Sequence, residues 1–344
     1  MTDFKDKRTT IDDLGKFGLI DHLTKNAKLK NKSTVAGTGD DCAIIESGTL
    51  FTIVSTDLLL EGIHFNLTYT PLKHLGYKTV IRGISDIFAM NGKPGQIFIS
   101  IGVSTRFSLE HLEELYEGIY MACEKYGADL AGGDTTSSLT GLTIGVTAVG
   151  TVEKKSVVKR DGARPNDLIC VTGDFGASYL GLQLLERERK LFKTNKDFQP
   201  DFSGYEYAVG RQLKPEFPAE VIEELRKNDL LPTSMIDISD GLASDLLHIC
   251  KSSDTGCRIH SNKIPVDQET FKVADEFRID PLTAALNGGE DYELLFTLPL
   301  EMFNKVNQIK NVKIIGHMTT SERGKYLVAE DGTEVELTAQ GWKD

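Results

Sequence analysis

The amino-acid sequence predicts an α+β protein of two domains, and three observations carry that prediction. The chain has 344 residues, which is longer than most single hydrophobic cores. Apolar runs of strand length and amphipathic runs of helix length both recur, but they do not alternate in the strict order of a doubly wound parallel sheet. A basic segment containing proline at 152–167 interrupts the pattern, so we place the boundary between an N-terminal domain of 1–153 and a C-terminal domain of 154–344.

The N-terminal half contains both alternating runs, which predict strands, and periodic runs, which predict helices. Strands are expected at 42–45, 50–54, 95–104 and 141–152. Helices are expected at 11–28, 72–90 and 109–127. In the helix at 72–90 the apolar residues recur at helical spacing, and Asn91-Gly92 ends it.

The C-terminal half begins again with a strand at 167–173 and a helix at 177–190. Residues 190–218 are polar and include three prolines, which predicts a long surface excursion without regular structure. Further on, 233–250 has the pattern of a strand followed by a helix, and Ser239 or Asp240 would suit the N-cap of that helix. Short strands complete the chain.

The composition argues against several classes of function. Acidic residues outnumber basic ones and give a formal net charge of -12, which is unfavourable for binding nucleic acid or an anionic membrane non-specifically. No apolar run approaches the ~18 residues of a membrane span, and the N-terminus lacks the apolar region of a secretory signal. The five cysteines are widely spaced without a Cys-x-x-Cys pair, as expected of reduced thiols in a cytoplasmic protein.

Acidic residues recur in one setting, beside glycine, serine or another aspartate at the edge of an apolar run. They are Asp40, Asp41, Asp57, Asp86, Asp134, Asp237, Asp240, Glu290 and Asp291. For each residue taken alone, an N-cap or an Asx-turn is an adequate reason for its position. This reason does not apply to Asp86, because a carboxylate near the C-terminal end of a helix is unfavourable by roughly 0.3–1 kcal/mol.

If these carboxylates converge in space, they need a counter-charge. Two like charges ~4 Å apart repel by about 4 kcal/mol at an effective dielectric of 20. Hard oxygen ligands on short side chains favour Mg²⁺, which shares its coordination shell with substrate phosphates. The residues alone do not decide whether they converge, so a magnesium site and a set of caps and turns remain alternatives here.

Several common nucleotide and metal motifs are absent from the sequence. There is no G-x-x-x-x-G-K-[ST] phosphate loop, and no G-x-G-x-x-G follows a predicted strand. A D-F-G occurs at 174–176 without the H-R-D loop of protein kinases, and neither the histidines nor the cysteines have zinc-ligand spacing. His64 follows a Ser-Thr-Asp run, and a structural and a catalytic role are both open for it.

Taken in order, the acidic motifs resemble those of the thiamine-monophosphate kinase family. The matching motifs are GDDCAII, STDLLLEGIHF, GISDIFAMNGKP, AGGDTTSS, IDISDGLASDLLHIC and GGEDYELLFT. That family belongs to the aminoimidazole ribonucleotide synthetase superfamily, and the likeness runs from about Thr9 to the C-terminus. It implies a two-domain fold of mixed sheets packed by helices, whose N-terminal sheet is completed across a homodimer.

The resemblance also implies a reaction, in which ATP transfers its γ-phosphoryl group directly to thiamine monophosphate with the help of several Mg²⁺ ions. It implies metal ligands at Asp41, Ser55, Thr56, Asp57, Asp86, Asp134, Asp237 and Asp240. It implies ATP contacts from Gly133, Asp134, Arg160 and Ser239. It implies contacts to thiamine monophosphate from His64, Glu290 and Trp342. No residue is expected to act as a covalent nucleophile.

Two alternatives to this kinase remain open from the residues. Another ATP-dependent enzyme of the superfamily would share the acidic motifs, although the N-terminal segment has no cysteine to handle selenide. A non-catalytic metal- or nucleotide-binding protein would share them too, but it would have little need of Glu290 and Trp342. Trp342 could equally anchor a C-terminal core, and Arg160 could lie in a solvated linker. We expect Asp41 to bind metal and Asp40 to shape the turn.

Overall fold

The computed structural model describes residues 15–195 and 199–339, which form two mixed β-sheets packed by helices. The strands of the first sheet are β1 (Thr34–Ala36), β2 (Ala43–Ser47), β3 (Leu50–Leu60), β4 (Lys93–Val103), β5 (Asp129–Ser137) and β6 (Thr143–Glu153). Their spatial order is β1-β2-β3-β6-β4-β5, and all neighbours are antiparallel except β4 and β5. Buried and partly exposed residues alternate along β6, so one face of the sheet packs against helices.

Helix packing in this half depends on glycine. The helices are α1 (Gly15–Thr24), α2 (Leu72–Ala89) and α3 (Leu109–Tyr126), of which α2 packs on the sheet and α3 packs on α2. A Cβ atom at Gly76 of α2 would lie 1.9 Å from the carbonyl oxygen of Leu115 in α3. A Cβ atom at Gly83 would lie 3.0 Å from the side chain of Val146 in the sheet. The two glycines therefore allow α2 to approach both neighbours closely, which fixes its position.

The second sheet has seven strands in mixed orientation. They are β7 (Leu168–Thr172), β8 (Ser234–Ile238), β9 (Thr255–His260), β10 (Glu293–Leu298), β11 (Val312–Thr320), β12 (Lys325–Val328) and β13 (Glu334–Glu336). Their order is β13-β12-β9-β11-β7-β10-β8, and only β9 and β12 pair in parallel. Every residue of β7, β8 and β10 is buried, so this end of the sheet is covered on both faces.

The two halves meet along α2, which contacts the edge strand β8 of the second sheet. The helices of the second half are α4 (Ala177–Thr194), α5 (Glu206–Leu213), α6 (Ala219–Lys227), α7 (Leu242–Ser252), α8 (Gln268–Phe277), α9 (Pro281–Asn287) and α10 (Phe303–Val306). Phe88 of α2 stacks on Phe217, which precedes α6, with ring centroids 4.9 Å apart. One hydrophobic core includes residues from both halves, so the junction between them is packed.

The α+β fold class is confirmed, and the helices predicted at 72–90 and 109–127 correspond to α2 and α3. The first sheet ends at Glu153 and the second begins at Leu168, while the domain boundary itself stays a prediction. All five cysteines are free and buried. Within the two described ranges, no helix is both long and apolar enough to cross a membrane.

The irregular excursion predicted at 190–218 is wrong. Helix α4 continues to its end at Thr194, and α5 lies within the same stretch, with α6 directly after it; residues 196–198 are outside the described ranges. A Cβ atom at Gly181 of α4 would lie 2.1 Å from the carbonyl oxygen of Ala208 in α5, so the two helices are in close contact. The polar composition of 190–218 did not indicate an exposed segment, because Gln212 is buried and hydrogen-bonded to Ser178 at 2.6 Å.

Candidate active site

Three carboxylates converge where the two halves meet. Asp41 follows a turn in which Gly39 has a φ of +119°, a conformation that favours glycine. Asp86 lies in the last turn of α2, and Asp237 lies on β8. One oxygen from each carboxylate lies within 4.8 Å of the others, and the three residues line a cavity of about 450 Å³. Three separate elements therefore supply one acidic site.

The carboxyl groups of this site have raised pKa values. Burial raises the pKa of Asp41 to about 6 and the pKa of Asp237 to about 7, and repulsion from neighbouring aspartates acts in the same direction. Burial, and then repulsion from Asp237, raise the pKa of Asp86 well above its usual value. Three negative charges at this position are therefore costly unless a positive charge joins them.

The protein provides only part of that positive charge. Arg160 donates from Nε to Asp41 Oδ1 at 3.1 Å and from Nη2 to the same oxygen. Ser85 Oγ donates to Asp237 Oδ2 at 2.7 Å. The other oxygen of Asp41, Oδ2, is buried and has no hydrogen-bond partner among the described residues. An unpartnered buried oxygen beside two further carboxylates suits a divalent cation.

Further residues that the family resemblance implicates line the same cavity. They are Thr56, Asp57, Arg160, Ser239 and Asp240. Thr56 and Asp57 lie within β3, which continues beyond the strand end predicted at 54. Thr56 Oγ1 hydrogen-bonds with Thr147 Oγ1 at 3.1 Å, and Asp57 Oδ1 accepts from Arg82 Nε at 3.0 Å. Asp57 therefore has a counter-charge of its own, whereas of the three converging carboxylates only Asp41 forms an ion pair with a described residue.

Ser239 and Asp240 form the turn between β8 and α7. Asp245 Oδ2 accepts hydrogen bonds from the backbone nitrogens of Ser239 at 3.1 Å and of Asp240 at 3.2 Å. The N-cap of α7 is Gly241, whose φ is +109°. The alternative that Ser239 or Asp240 caps this helix is therefore wrong, and Asp245 fixes the turn against the cavity instead.

A second cavity, of about 960 Å³, adjoins the first and is lined by His64 and Glu290. Lys78 Nζ donates to Glu290 Oε2 at 2.8 Å, and Arg82 Nη1 lies 3.7 Å from Glu290 Oε1. Burial acts to raise the pKa of Glu290, but attraction to Lys78 and Arg82 outweighs it and lowers that pKa, so the group is a carboxylate at neutral pH. The backbone nitrogen of Leu60 donates to His64 Nδ1 at 3.1 Å and orients the ring.

The chain is similar to known proteins along almost its whole length. Residues 39–152 match AIR synthase related protein, N-terminal domain. The chain is 37% identical to thiamine-monophosphate kinase of Buchnera aphidicola subsp. Schizaphis graminum, over 91% of this chain and 93% of that protein. It is 33% identical to thiamine-monophosphate kinase of Aquifex aeolicus, over 96% and 98% of the two chains. The chain belongs to the thiamine-monophosphate kinase family.

The fold is similar to a member of this family as well. A solved structure of AaThiL complexed with AMPPCP and TMP matches with a TM-score of 0.81 at 32% identity, covering 98% of this chain and 99% of that chain. The family and the fold expected from the acidic motifs are thereby confirmed. The roles of individual residues stay predictions, and the two cavities differ in how many of the implicated residues they bring together.

Ser55 is not among the residues that line either cavity. The Ser55 side chain is buried, and its hydroxyl donates to the carbonyl oxygen of Gly83 at 3.1 Å. This hydroxyl therefore joins β3 to α2, and a metal contact from Ser55 stays a prediction. Trp342 lies outside the described residues.

Gly133 and Asp134 lie on the edge strand β5 and do not line the acidic cavity. A Cβ atom at Gly133 would lie 1.7 Å from the carbonyl oxygen of Ile99, so the close approach of β4 already requires glycine there. Their contacts to ATP and metal stay predictions. Asp40 behaves as expected of a residue that shapes the turn, because Oδ1 accepts from the Asp41 backbone nitrogen at 3.0 Å.

Four residues of the site were not expected from the sequence: Lys78, Arg82, Asp245 and Tyr292. Lys78, Arg82 and Asp86 recur at i, i+4 and i+8 in a helix whose other faces are apolar, and this spacing was a usable signal. Asp245 lies five residues after Asp240 in the first turn of a predicted helix, where an acidic residue is unremarkable. Tyr292 adjoins an apolar strand and gives no signal of its own.

Proposed function

We propose that the protein transfers the γ-phosphoryl group of ATP to thiamine monophosphate, giving thiamine diphosphate and ADP. The observation that carries this proposal is the convergence of Asp41, Asp86 and Asp237 beside a second cavity lined by His64 and Glu290. Relatives named thiamine-monophosphate kinase, and the structure with AMPPCP and TMP, support the choice of the two substrates.

Mg²⁺ suits the donor atoms of the first cavity. Carboxylate oxygens are hard ligands of the kind Mg²⁺ prefers, and the buried Asp41 Oδ2 has no partner among the described residues. Asp41, Asp86 and Asp237 are the residues that would hold it. Asp57 and Asp240 line the same cavity and would hold further ions. When bound, Mg²⁺ neutralises phosphate charge during the transfer.

Other polar groups of the two cavities suit the substrates. Arg160 places a guanidinium on the wall of the first cavity, where it would contact phosphate oxygens of ATP. Ser239, in the turn fixed by Asp245, lines the same cavity and would add a further contact. His64 and Glu290 would contact thiamine monophosphate in the second cavity, where an ionised carboxylate suits a cationic ligand.

This reaction requires no general base, because the attacking atom is an oxygen of the acceptor phosphate that is largely deprotonated at neutral pH. The difficulty lies in bringing two polyanions together in line. The protein's part is to hold the donor in the first cavity and the acceptor in the second. We propose direct transfer, and a phosphorylated aspartate or histidine trapped during turnover would contradict it.

The N-terminal sheet also supports the proposal of a homodimer. Strand β5 (Asp129–Ser137) is a nine-residue edge strand, exposed at every position except Leu130. A long exposed edge with unpaired backbone groups is a template for pairing with another strand, and a second copy of this chain offers an identical one. Thr135→Lys should reduce the molar mass measured by light scattering to that of a monomer, whereas Thr140→Lys, off the strand, should not. An unchanged mass for Thr135→Lys would reject β5 as the interface.

The function is tested by incubating the protein with Mg²⁺, ATP and thiamine monophosphate and measuring both products. We expect thiamine diphosphate and ADP in equal amounts, and loss of both when EDTA is added. ATP consumption with a different acceptor only would indicate another enzyme of the superfamily. Binding of a non-hydrolysable ATP analogue, with no turnover of either substrate, would indicate a non-catalytic nucleotide-binding protein.

A further inference from the structure

We propose that Arg82 and Tyr292 bind the phosphoryl group as it passes from ATP to the acceptor. This inference rests on the proposed function and assigns two further catalytic residues to the wall of the first cavity. Arg82 comes from α2 of the first half, and Tyr292 directly precedes β10 of the second half. Each half would therefore supply one contact to the phosphoryl group.

Arg82 lies where the two cavities meet. Its Nε donates to Asp57, which lines the first cavity, while its Nη1 lies 3.7 Å from Glu290, which lines the second. A separation of 3.7 Å is an ion pair rather than a hydrogen bond. Of the five N–H donors of a guanidinium, only the one on Nε is therefore hydrogen-bonded to any described residue. The side chain is 20% exposed, so the remaining donors can reach a ligand.

Tyr292 supplies a second and independent observation. The residue is 1% exposed, its hydroxyl has no hydrogen-bond partner among the described residues, and it lines the same cavity as Arg82. A buried hydroxyl without a partner costs about 1–3 kcal/mol. The backbone of Tyr292 has a φ of +52°, in the left-handed region that bulky residues rarely adopt. Strain of this kind is typical of functional sites.

Both groups are hydrogen-bond donors, so the ligand they fit is an anion. Burial raises the pKa of Tyr292 well above its usual value, and the hydroxyl therefore keeps its proton at neutral pH. A cation would be repelled by the guanidinium of Arg82, whereas the planar donors of arginine match the oxygens of a phosphoryl group. The transferred group must cross from the first cavity to the second, and Arg82 stands between them.

The reacting atoms balance without any further reagent. An oxygen of the acceptor phosphate forms a bond to the γ-phosphorus, and the bond from that phosphorus to the β,γ-bridging oxygen breaks. The electron pair of the broken bond leaves with ADP, and no proton moves. Arg82 and Tyr292 donate hydrogen bonds to the equatorial oxygens of the phosphoryl group. These oxygens carry the negative charge of the group during the transfer.

Tyr292→Phe is the sharper test, because it removes one oxygen atom and little else. We expect kcat to fall by about 10–100-fold, with the KM values and the affinity for a non-hydrolysable ATP analogue within about 3-fold of wild type. The melting temperature should stay the same or rise, since an unpaired buried hydroxyl is lost. Tyr116→Phe, on α3 and outside both cavities, is the matched control and should leave kcat unchanged. A wild-type kcat for Tyr292→Phe would overturn the proposal for Tyr292.

Arg82→Lys distinguishes contact with the phosphoryl group from simple neutralisation of Asp57 and Glu290. Lysine keeps the charge but loses the planar donors, so we expect kcat to remain at least about 10-fold below wild type. Full activity of Arg82→Lys would show that charge alone suffices and would overturn the role of Arg82. Wild-type protein that makes no thiamine diphosphate would instead refute the proposed function, so the two failures are distinguishable.

Discussion

Replacing Asp86 by asparagine should stabilise the metal-free protein and abolish its response to Mg²⁺. The substitution nearly keeps the shape of the side chain and removes one of three charges whose oxygens lie within 4.8 Å of one another. At 4.8 Å and an effective dielectric of about 20, each pair of unit charges repels by about 3.5 kcal/mol. Asp86→Asn eliminates two of the three pairs.

The measurable gain is smaller than this repulsion, because the carboxyl groups relieve it by binding protons. At pH 8 a carboxyl with a pKa of about 7, such as that of Asp237, binds a proton at a cost of about 1.4 kcal/mol. We therefore expect metal-free Asp86→Asn to be more stable than the metal-free wild type by about 1–3 kcal/mol at pH 8. That gain corresponds to a rise of about 2–6 °C in melting temperature.

The assay is thermal unfolding at pH 8, first with EDTA and then with Mg²⁺. The wild type should gain stability with Mg²⁺, whereas Asp86→Asn should not, and its kinase activity should be almost abolished. Asp275→Asn is the matched control. Asp275 is exposed near the C-terminal end of α8, where it also opposes a helix dipole, but it does not line the acidic cavity. Metal-free Asp86→Asn that is less stable than wild type, or no more stabilised than Asp275→Asn, would refute the reasoning.

Two further predictions concern the acidic site and the packing of α4 against α5. In the metal-free wild type, Asp41 and Asp237 should contribute more stability as the pH falls from 8 towards 6, because their pKa values, about 6 and about 7, lie above the ordinary value near 4 and the folded protein binds more protons there. Burial lowers the pKa values of His74, His260 and His317, which acts in the opposite direction. Melting temperatures of the wild type are therefore compared with those of Asp237→Asn at constant ionic strength, and a wild type that gains no stability relative to this variant as the pH falls would contradict the prediction. Gly181→Ala should cost about 1–3 kcal/mol despite the better helix propensity of alanine, because its Cβ would lie 2.1 Å from the carbonyl oxygen of Ala208. Urea unfolding measures this cost against Gly210→Ala, whose Cβ would meet nothing within 4 Å, and equal stabilities would show that α4 and α5 do not pack as described.

The local structure around Asp86 could be predicted from the sequence. The apolar spacing of 72–90 placed the helix, Asn91-Gly92 placed its end, and the conflict between a carboxylate and the helix dipole marked Asp86 as unusual. The family resemblance then connected Asp86 with Asp41 and Asp237. Their convergence itself depends on how β8 docks against α2, and that contact joins residues about 150 positions apart in the chain. No local pattern encodes such a distance.

Polar residues in 190–218 were misjudged for a related reason. Hydropathy treats a glutamine or an arginine as a surface residue, yet Gln212 is buried and Arg211 pairs with Glu293 at 2.8 Å. Burial of such groups is tolerated when their hydrogen bonds are satisfied, and the partners are found only in the folded chain. Hydropathy therefore did not predict helix α5, although this helix packs directly on α4.

The pairing of charges separates carboxylates that the sequence presents as equivalent. Asp57 has Arg82, Glu290 has Lys78, and Asp41 has Arg160, whereas no described residue supplies Asp86 with an ion pair. Asp57 and Glu290 therefore have a counter-charge within the fold, whereas Arg160 pairs with one oxygen of Asp41 and leaves Oδ2 without a partner among the described residues. The charge on Asp86, together with that on the neighbouring Asp237, is the excess that the protein leaves uncompensated. A cation site is therefore located by the carboxylate oxygens that lack a basic partner, rather than by the places where acidic residues are most frequent in the sequence.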